Sequence, residues 1–576
     1  METMRKFLRD RYEWMIPVVH FLLTFLWQGN IFVGHGSWEF YPSLVRNGDL
    51  MPGDAELWMV YALSRVFCFF IIWGFWKLVF FVLRNDVSKD NKIILGGILV
   101  TGLILGIFFF PTLFGIEVDN YTNYLMVRRF QPTYWQGVYT GALYGGCLMV
   151  LPHPIGIFVF QWVFFWAVTS YAYLGIERVR GTRKNMILWL LLLPESYLLA
   201  FNAYRNNFYT ILVFWFLAYL YFHVKDPTKE IRIKDTLLFS LMTAFIMVWR
   251  SEGLFWGLGG LAVWLLFVLK GRSDRKKQIL VSLVSLCLLF LIIRQMQELG
   301  NKKYYGQDYM IINTTDVLQA IFINPDAHLT YQGAESDVNA IEAIVPVEIL
   351  KEYGMDGYRD YNWTMGRRDF NQSLATDQQA DAYVSAYFRI VMNNLGTYLR
   401  VQLSNFLSAM QIPVRQPAYA FQGEHFQGLE HFVYGLWRSG QEEVLDSWQT
   451  RSWKDNAVRS LIATKCDQTI GMWREIFFNF VFNAILHVFA LVAVIVMFFK
   501  EFLCLVGKKK EMKYQYSLAF VIASLTILGE FAACILFMPA GREAYLYPVL
   551  YASYFILYVY GIERGKAKNR KEKKKA

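Results

Sequence analysis

Apolar stretches recur along this chain, and each is close to the roughly 17–25 residues that carry a helix across the hydrocarbon core of a bilayer. There are twelve, at 14–34, 58–83, 93–114, 153–175, 185–203, 207–223, 236–250, 253–269, 278–296, 476–499, 516–538 and 544–562 of 576 residues. The composition agrees: 55% of residues are hydrophobic and only 18% charged, against roughly 25% charged in a soluble domain. A single cytosolic enzyme, a disordered chain, a collagen and a small disulfide scaffold are all excluded. The first run passes through Gln28-Gly-Asn into Phe32 without a small-residue cleavage site, so it reads as a helix rather than a removed leader. The expectation is an all-α polytopic membrane protein with about twelve transmembrane helices.

The net charge of +11 then needs placing. Loops on the cytoplasmic side are enriched in Lys and Arg. With the N-terminus inside and the runs alternating, the inside segments hold 33 of the 57 basic residues and the short outside loops hold six. Both termini are therefore expected to be cytoplasmic, in a plasma membrane. The tail from Glu563 to Ala576 has eight basic and two acidic residues, a pattern that anchors at anionic lipid and gives no reason to invoke nucleic acid. The chain divides into a transmembrane module over 1–296 with about nine helices, an extracytoplasmic segment 297–475, C-terminal transmembrane helices over 476–562 and the basic tail 563–576. The segment between the ninth and tenth runs is acidic and large enough for a small domain. Helical tracts are expected there at Val338–Tyr353, Asp381–Met410 and Glu442–Cys466. Apolar residues recur at helical spacing from Tyr387 to Leu403, as in a helix lying on the outer membrane surface or under the domain.

Several chemistries leave no trace. The chain has no CxxC, HExxH, P-loop or nucleotide-binding glycine fingerprint, so it carries no ATPase of its own. No His or carboxylate cluster has clear metal-ligand spacing, and neither metal nor other cofactor is expected, although a divalent metal stays open. Of six cysteines, Cys147 and Cys466 fall outside the membrane, and spacing alone does not pair them.

Polar residues gather on the outer side, where ionisable groups are expensive and read first as functional. The outer loop 115–152 carries Glu117 and Asp119 two residues apart, then an aromatic stretch with Arg128-Arg129, then Pro152-His153-Pro154 at the next helix start. It is too long for a hairpin and too aromatic to be freely solvated, and reads as short helices at the interface. Three further outer loops each hold one arginine: Asn202-Ala-Tyr-Arg205, Trp249-Arg250-Ser-Glu252-Gly253 and Pro539-Ala-Gly-Arg542-Glu543-Ala-Tyr545. A lone outer arginine needs a carboxylate, a headgroup or a bound phosphate, and its planar fork suits phosphate. Local pairing of Arg250 with Glu252, or of Arg542 with Glu543, is the competing reading. A lipid-linked phosphate fits such a face: tail in the bilayer, phosphate at the arginines, head at a carboxylate that can deprotonate an attacking hydroxyl.

In these elements the sequence resembles the GT-C superfamily of integral-membrane glycosyltransferases, specifically its bacterial multi-pass, polysaccharide-type branch. The carrying features are Glu117-Val-Asp119 in an outer loop, the Pro152-His-Pro154 helix start, Trp249-Arg-Ser-Glu-Gly253, and Pro539-Ala-Gly-Arg542-Glu-Ala-Tyr-Leu-Tyr-Pro548 near the last helix. The resemblance implies transfer of a sugar from a polyprenyl-phosphate carrier to a glycan, lipid or protein acceptor at the outer face, with inversion. It implies Asp119 as general base, with Glu117 orienting it or exchanging roles with it. Arg128, Arg129, Arg205, Arg250 and Arg542 become candidates for the carrier phosphate. Tyr121, His153, Glu252 and Tyr545 become candidates for substrate contact. The family's acidic motif usually follows the first helix, so Glu39, Asp49 and Asp54 stand as alternatives to Asp119.

Two other functions compete. A polysaccharide polymerase or O-antigen-ligase-type enzyme would rely on Arg367, Arg368, His425 and His431 of the long outer segment. A lipid-glycan flippase or transporter would line a path with charges inside helices, for which Arg65, Glu195 and Glu530 are the candidates.

Overall fold

In hydrocarbon every backbone N–H and C=O must be satisfied within the protein, which leaves the helix as the natural form of an apolar run. The computed structural model describes residues 2–26, 32, 53–83, 88–109, 123–124, 126–134, 137–153, 155–180, 188, 205–225, 232–268, 275–304, 314–353, 376–409, 485–507, 514–537 and 545–575. Among the described residues the regular structure is helical, with no strand. The first part comprises α1 (Glu2–Leu23), α2 (Asp54–Leu83), α3 (Lys89–Phe109), α4 (Val138–Val150), α5 (Ile155–Arg180), α6 (Arg205–Lys225), α7 (Ile233–Trp249), α8 (Gly253–Val268) and α9 (Arg275–Tyr304). A group of shorter helices follows: α10 (Thr315–Ile323), α11 (Ala334–Glu342), α12 (Val347–Tyr353), α13 (Asp377–Asn393) and α14 (Leu395–Ala409). The chain closes with α15 (Ile485–Val506), α16 (Tyr514–Phe537) and α17 (Tyr547–Lys575).

The architecture is that of an all-helical membrane protein, but the expectation of twelve spans is corrected. Among the described residues, five helical stretches are long and apolar enough to cross a membrane: Asp54–Phe81, Ile155–Val179, Lys277–Gly300, Val488–Val506 and Tyr514–Phe537. The other runs fall short for local reasons. Helix α8 has 16 residues, about 24 Å at 1.5 Å per residue, less than a hydrocarbon core of roughly 30 Å. Helix α6 opens on Arg205-Asn-Asn and carries three tyrosines, a tryptophan and a histidine. Its Tyr209, Ile211, Val213, Phe214 and Phe216 are all buried, so it is a core helix enclosed by others rather than a lipid-facing one. The run 185–203 lies outside the described residues except for Leu188.

The outer loop 115–152 also differs from expectation. It does contain a helix, but α4 is buried along nearly its whole length and packs lengthwise on α2. Glycine permits the approach: a Cβ on Gly146 would stand 2.8 Å from the backbone nitrogen of Cys68. Small residues are the usual means of bringing membrane helices this close. At its start α4 is fastened to α9, where the Val138 amide donates to Gln297 Oε1 at 2.9 Å and the Tyr139 hydroxyl donates to the Ile293 carbonyl at 2.7 Å.

The helices α10–α14 close around a core of their own, with Leu318, Ile321, Ile341, Leu350, Tyr383 and Ile390 fully buried. Two of the expected helical tracts fall here, each divided: Val338–Tyr353 into α11 and α12, and Asp381–Met410 into α13 and α14 with a break at Asn394. The third, Glu442–Cys466, lies outside the described residues. Thr376 starts α13 with a capping box closed by Gln379, which satisfies amides that the helix would otherwise leave unpaired. This unit meets the bundle where α14 packs on α16: the Tyr398 hydroxyl donates to the Leu536 carbonyl, and Phe406 lies edge-on to Phe531 at 5.3 Å.

Candidate functional site

The end of the bundle nearest the α10–α14 unit is where α6 and α8 begin and α7 and α16 finish. The hairpin from α7 to α8 is Trp249-Arg250-Ser251-Glu252-Gly253, and each residue has a task. Trp249 is buried and its indole N–H donates to the Arg205 carbonyl at 3.2 Å. Arg250 leaves the helix in extended geometry, and its carbonyl accepts from the Gly253 amide at 3.0 Å. Gly253 is required because a Cβ there would run into the carbonyl of Ile246.

The turn folds the two charged side chains onto one another. Arg250 Nε donates to Glu252 Oε2 at 3.1 Å and Nη2 to Oε1 at 2.7 Å. Nη1 donates to Asn206 Oδ1 at the start of α6. The face of the guanidinium stands 5.0 Å from the centre of the Tyr545 ring, within cation–π range. Burial alone pushes the Glu252 carboxyl up, but the charge and hydrogen bonds of Arg250, with help from its own amide and Ser251, outweigh it and hold the group at about 2. Glu252 is thus a permanent anion that fixes Arg250, and too weak a base to take a proton from a hydroxyl.

One turn further into the bundle lies a second carboxylate. Glu530 on α16 is 1% exposed, accepts from the Tyr209 hydroxyl at 3.1 Å and accepts from the indole N–H of Trp256. It thereby joins α16 to α6 and α8. The side-chain nitrogen of Asn206, whose oxygen accepts from Arg250, is buried with no hydrogen-bond partner among the described residues.

A small cleft opens on the other side of Trp249. Arg205, Phe208 and Trp249 form one wall, and Thr140, Tyr144 and Gln161 from α4 and α5 contribute to the other. It is lined by one guanidinium, two hydroxyls and an amide together with aromatic surface, and its volume of about 10 Å³ is that of a single water.

The structure therefore brings together Arg205, Arg250, Glu252 and Tyr545 of the residues expected from sequence. The local pairing of Arg250 with Glu252 is what forms. Glu117, Asp119, Tyr121 and Arg542 lie outside the described residues, as do Glu39 and Asp49. Asp54 stands at the start of α2. Arg128 and Arg129 fall in a turn beside α2, where Phe130 packs on Tyr61 at 5.2 Å and Arg128 stands over the Tyr124 ring at 5.5 Å. His153 acts at the start of α5, its Nδ1 accepting from the Ile155 amide at 3.2 Å, and burial lowers its pKa. Among the described residues no group of three or more His, Cys, Asp or Glu could hold a metal ion. Sequence reasoning did not assign Asn206, Tyr209, Trp256 or Glu530 to this site. For Glu530 the signal was present, a lone carboxylate within an apolar run.

Compared with protein-family models, with curated proteins and with solved structures, the chain matches none.

Proposed function

We propose that this chain is a membrane glycosyltransferase that moves a sugar from a polyprenyl-phosphate carrier to a glycan, lipid or protein acceptor. The observation that carries the proposal is the cleft holding Arg205, set beside the fixed Arg250–Glu252 pair where apolar helices meet the α10–α14 unit. A carrier lipid presents an apolar tail and a phosphate together, and this end offers apolar surface and a guanidinium together. At the wall of the cleft, Arg205 neutralises the phosphate as it becomes a leaving group. Glu252 holds Arg250 against Tyr545. With Glu252 too weak a base, the proton from the acceptor hydroxyl passes to Asp119, with Glu117 orienting it or exchanging roles with it. The distribution of basic residues favours both termini in the cytoplasm and the α10–α14 unit outside.

A flippase for the same lipid-linked glycan is the second reading, favoured by one observation, the burial of Glu530 within an apolar helix. Mass spectrometry of lipid-linked intermediates and surface glycans, with and without the protein, separates the two. A transferase leaves one carrier-linked sugar to accumulate and one residue missing from the glycan when it is deleted. A flippase changes the sidedness of intact carriers and no sugar linkage. Unchanged carriers and glycans would overturn both.

A further inference from the structure

The α13–α14 pair carries a continuous exposed apolar stripe: Phe388, Met392, Leu395, Leu399 and Leu403 are between 44% and 68% exposed. The four-residue spacing keeps Phe388 and Met392 on one face of α13 and Leu395, Leu399 and Leu403 on one face of α14. A soluble domain surface scatters such residues singly. Here they are aligned on helices whose opposite face is packed, with Ile390, Val391 and Val401 buried. At 3.6 residues per turn, Leu395, Leu399 and Leu403 lie between two borders. One border is Tyr398, Gln402 and Phe406, the side that meets α16. The other is Arg400, which is exposed.

What covers the stripe follows from where α14 is fastened. The Tyr398 hydroxyl donates to the Leu536 carbonyl, at the last turn of a helix that is long and apolar enough to span a bilayer. That helix's own outward side chains there, Leu536 and Phe537, are 37% and 73% exposed. Because Tyr398 meets Leu536 and Phe406 meets Phe531, the leucine stripe lies alongside the last turns of α16 and adds to its exposed apolar surface. Arg400 stands on the side away from the packed face, placed to reach the headgroup layer. We propose that α13 and α14 lie in the membrane interface and use this stripe to seat the α10–α14 unit on the lipid surface. The consequence reaches the candidate site through one packed layer. Phe406 of α14 shares a cluster with Cys534, Leu546 and Tyr545, and Tyr545 underlies Arg250. Lipid contact on α14 therefore holds the wall of the site in place, whichever reaction the site performs.

The test is photo-crosslinking of the full-length protein in nanodiscs of phosphatidylethanolamine and phosphatidylglycerol. Leu399→benzoylphenylalanine places the probe on the stripe, and Met392→benzoylphenylalanine repeats it on α13 in case the first variant folds poorly. Glu335→benzoylphenylalanine, at an exposed position of α11, is the control. The expected result is lipid adducts on the stripe in about tenfold excess over the control. Adducts to a second copy of the chain, adducts to another segment of the same chain, or lipid adducts no more abundant than at Glu335 would each overturn the proposal.

Discussion

Glu252 holds Arg250 at two points, with Nε–Oε2 at 3.1 Å and Nη2–Oε1 at 2.7 Å, two residues apart in a five-residue turn between helices. The pair is largely buried, at 10% and 18% side-chain exposure, so neither charge survives well without the other. Glu252→Gln should lower stability on the order of 3 kcal/mol, because it strands a buried guanidinium. Thermal unfolding in nanodiscs measures this. Adding Arg250→Gln should recover part of the loss, and a double variant no more stable than Glu252→Gln alone would contradict the coupling.

The same pair makes stability depend on acid. The Glu252 carboxyl is lowered in the folded protein from 4.5 to about 2, so the unfolded chain binds the proton more readily and acid favours unfolding. The contribution is complete above 4.5 and is lost as the pH falls from there toward 2. The gap in unfolding temperature between the natural protein and Glu252→Gln should therefore stay constant from neutral pH to about pH 5 and narrow below it. A gap that widens in acid would refute the assignment.

Glu530 depends on two donors from two other helices. Trp256→Phe removes one of them and also leaves a small cavity, since Trp256 is buried and its indole is larger than a phenyl ring. It should cost about 1–3 kcal/mol for a buried acceptor left short of one hydrogen bond, with the cavity adding to it. Tyr209→Phe tests the other donor in the same assay. If both variants melt with the natural protein, Glu530 is not held by these bonds.

Much of this was legible in the chain, and the limits have physical causes. Apolar runs mark helices because backbone groups in lipid must pair locally, but length alone does not say whether a helix meets lipid or other helices. That is why α6, with tyrosines and asparagines among its apolar residues, looked like a span and is a core helix. The Arg250–Glu252 turn could be read because its partners are two residues apart. The Tyr209–Glu530 bond joins residues 321 positions apart, and no local pattern encodes that pairing. The burial of α4 was hidden for the same reason, since only the surface of α2 makes its two adjacent glycines meaningful.

One of those glycines, Gly146, gives a prediction paired with Gly74 of α2. A Cβ at Gly146 would press on the backbone of α2 at 2.8 Å, whereas a Cβ at Gly74 meets nothing within 4 Å. Backbone cannot move aside as a side chain can, so Gly146→Ala should cost about 1–3 kcal/mol. Gly74→Ala should be neutral or stabilising by up to about 1 kcal/mol, since alanine is the better helix former. Unfolding temperatures of the two variants should therefore shift in opposite directions or by clearly different amounts. Equal shifts would mean that α4 does not approach α2 so closely.

The last prediction separates the cleft from the ion pair. Arg205 lines the cleft, while Arg250 stands in the turn with Glu252 and Asn206, so a phosphate at the cleft should depend mainly on Arg205. Arg205→Ala should raise the KM for a polyprenyl-phosphate sugar about 10- to 100-fold, the loss of one charge-assisted contact of about 1.5–3 kcal/mol. The KM for acceptor should stay unchanged. Arg205→Lys should recover only part of the loss, because an ammonium offers a point charge rather than a planar fork. Arg250→Lys should instead reduce stability and kcat together, because it disturbs the turn and leaves the phosphate contact in place. Steady-state kinetics in proteoliposomes with the donor and acceptor varied separately decide this. A donor KM that follows Arg250 and ignores Arg205 would move the phosphate out of the cleft and onto the turn.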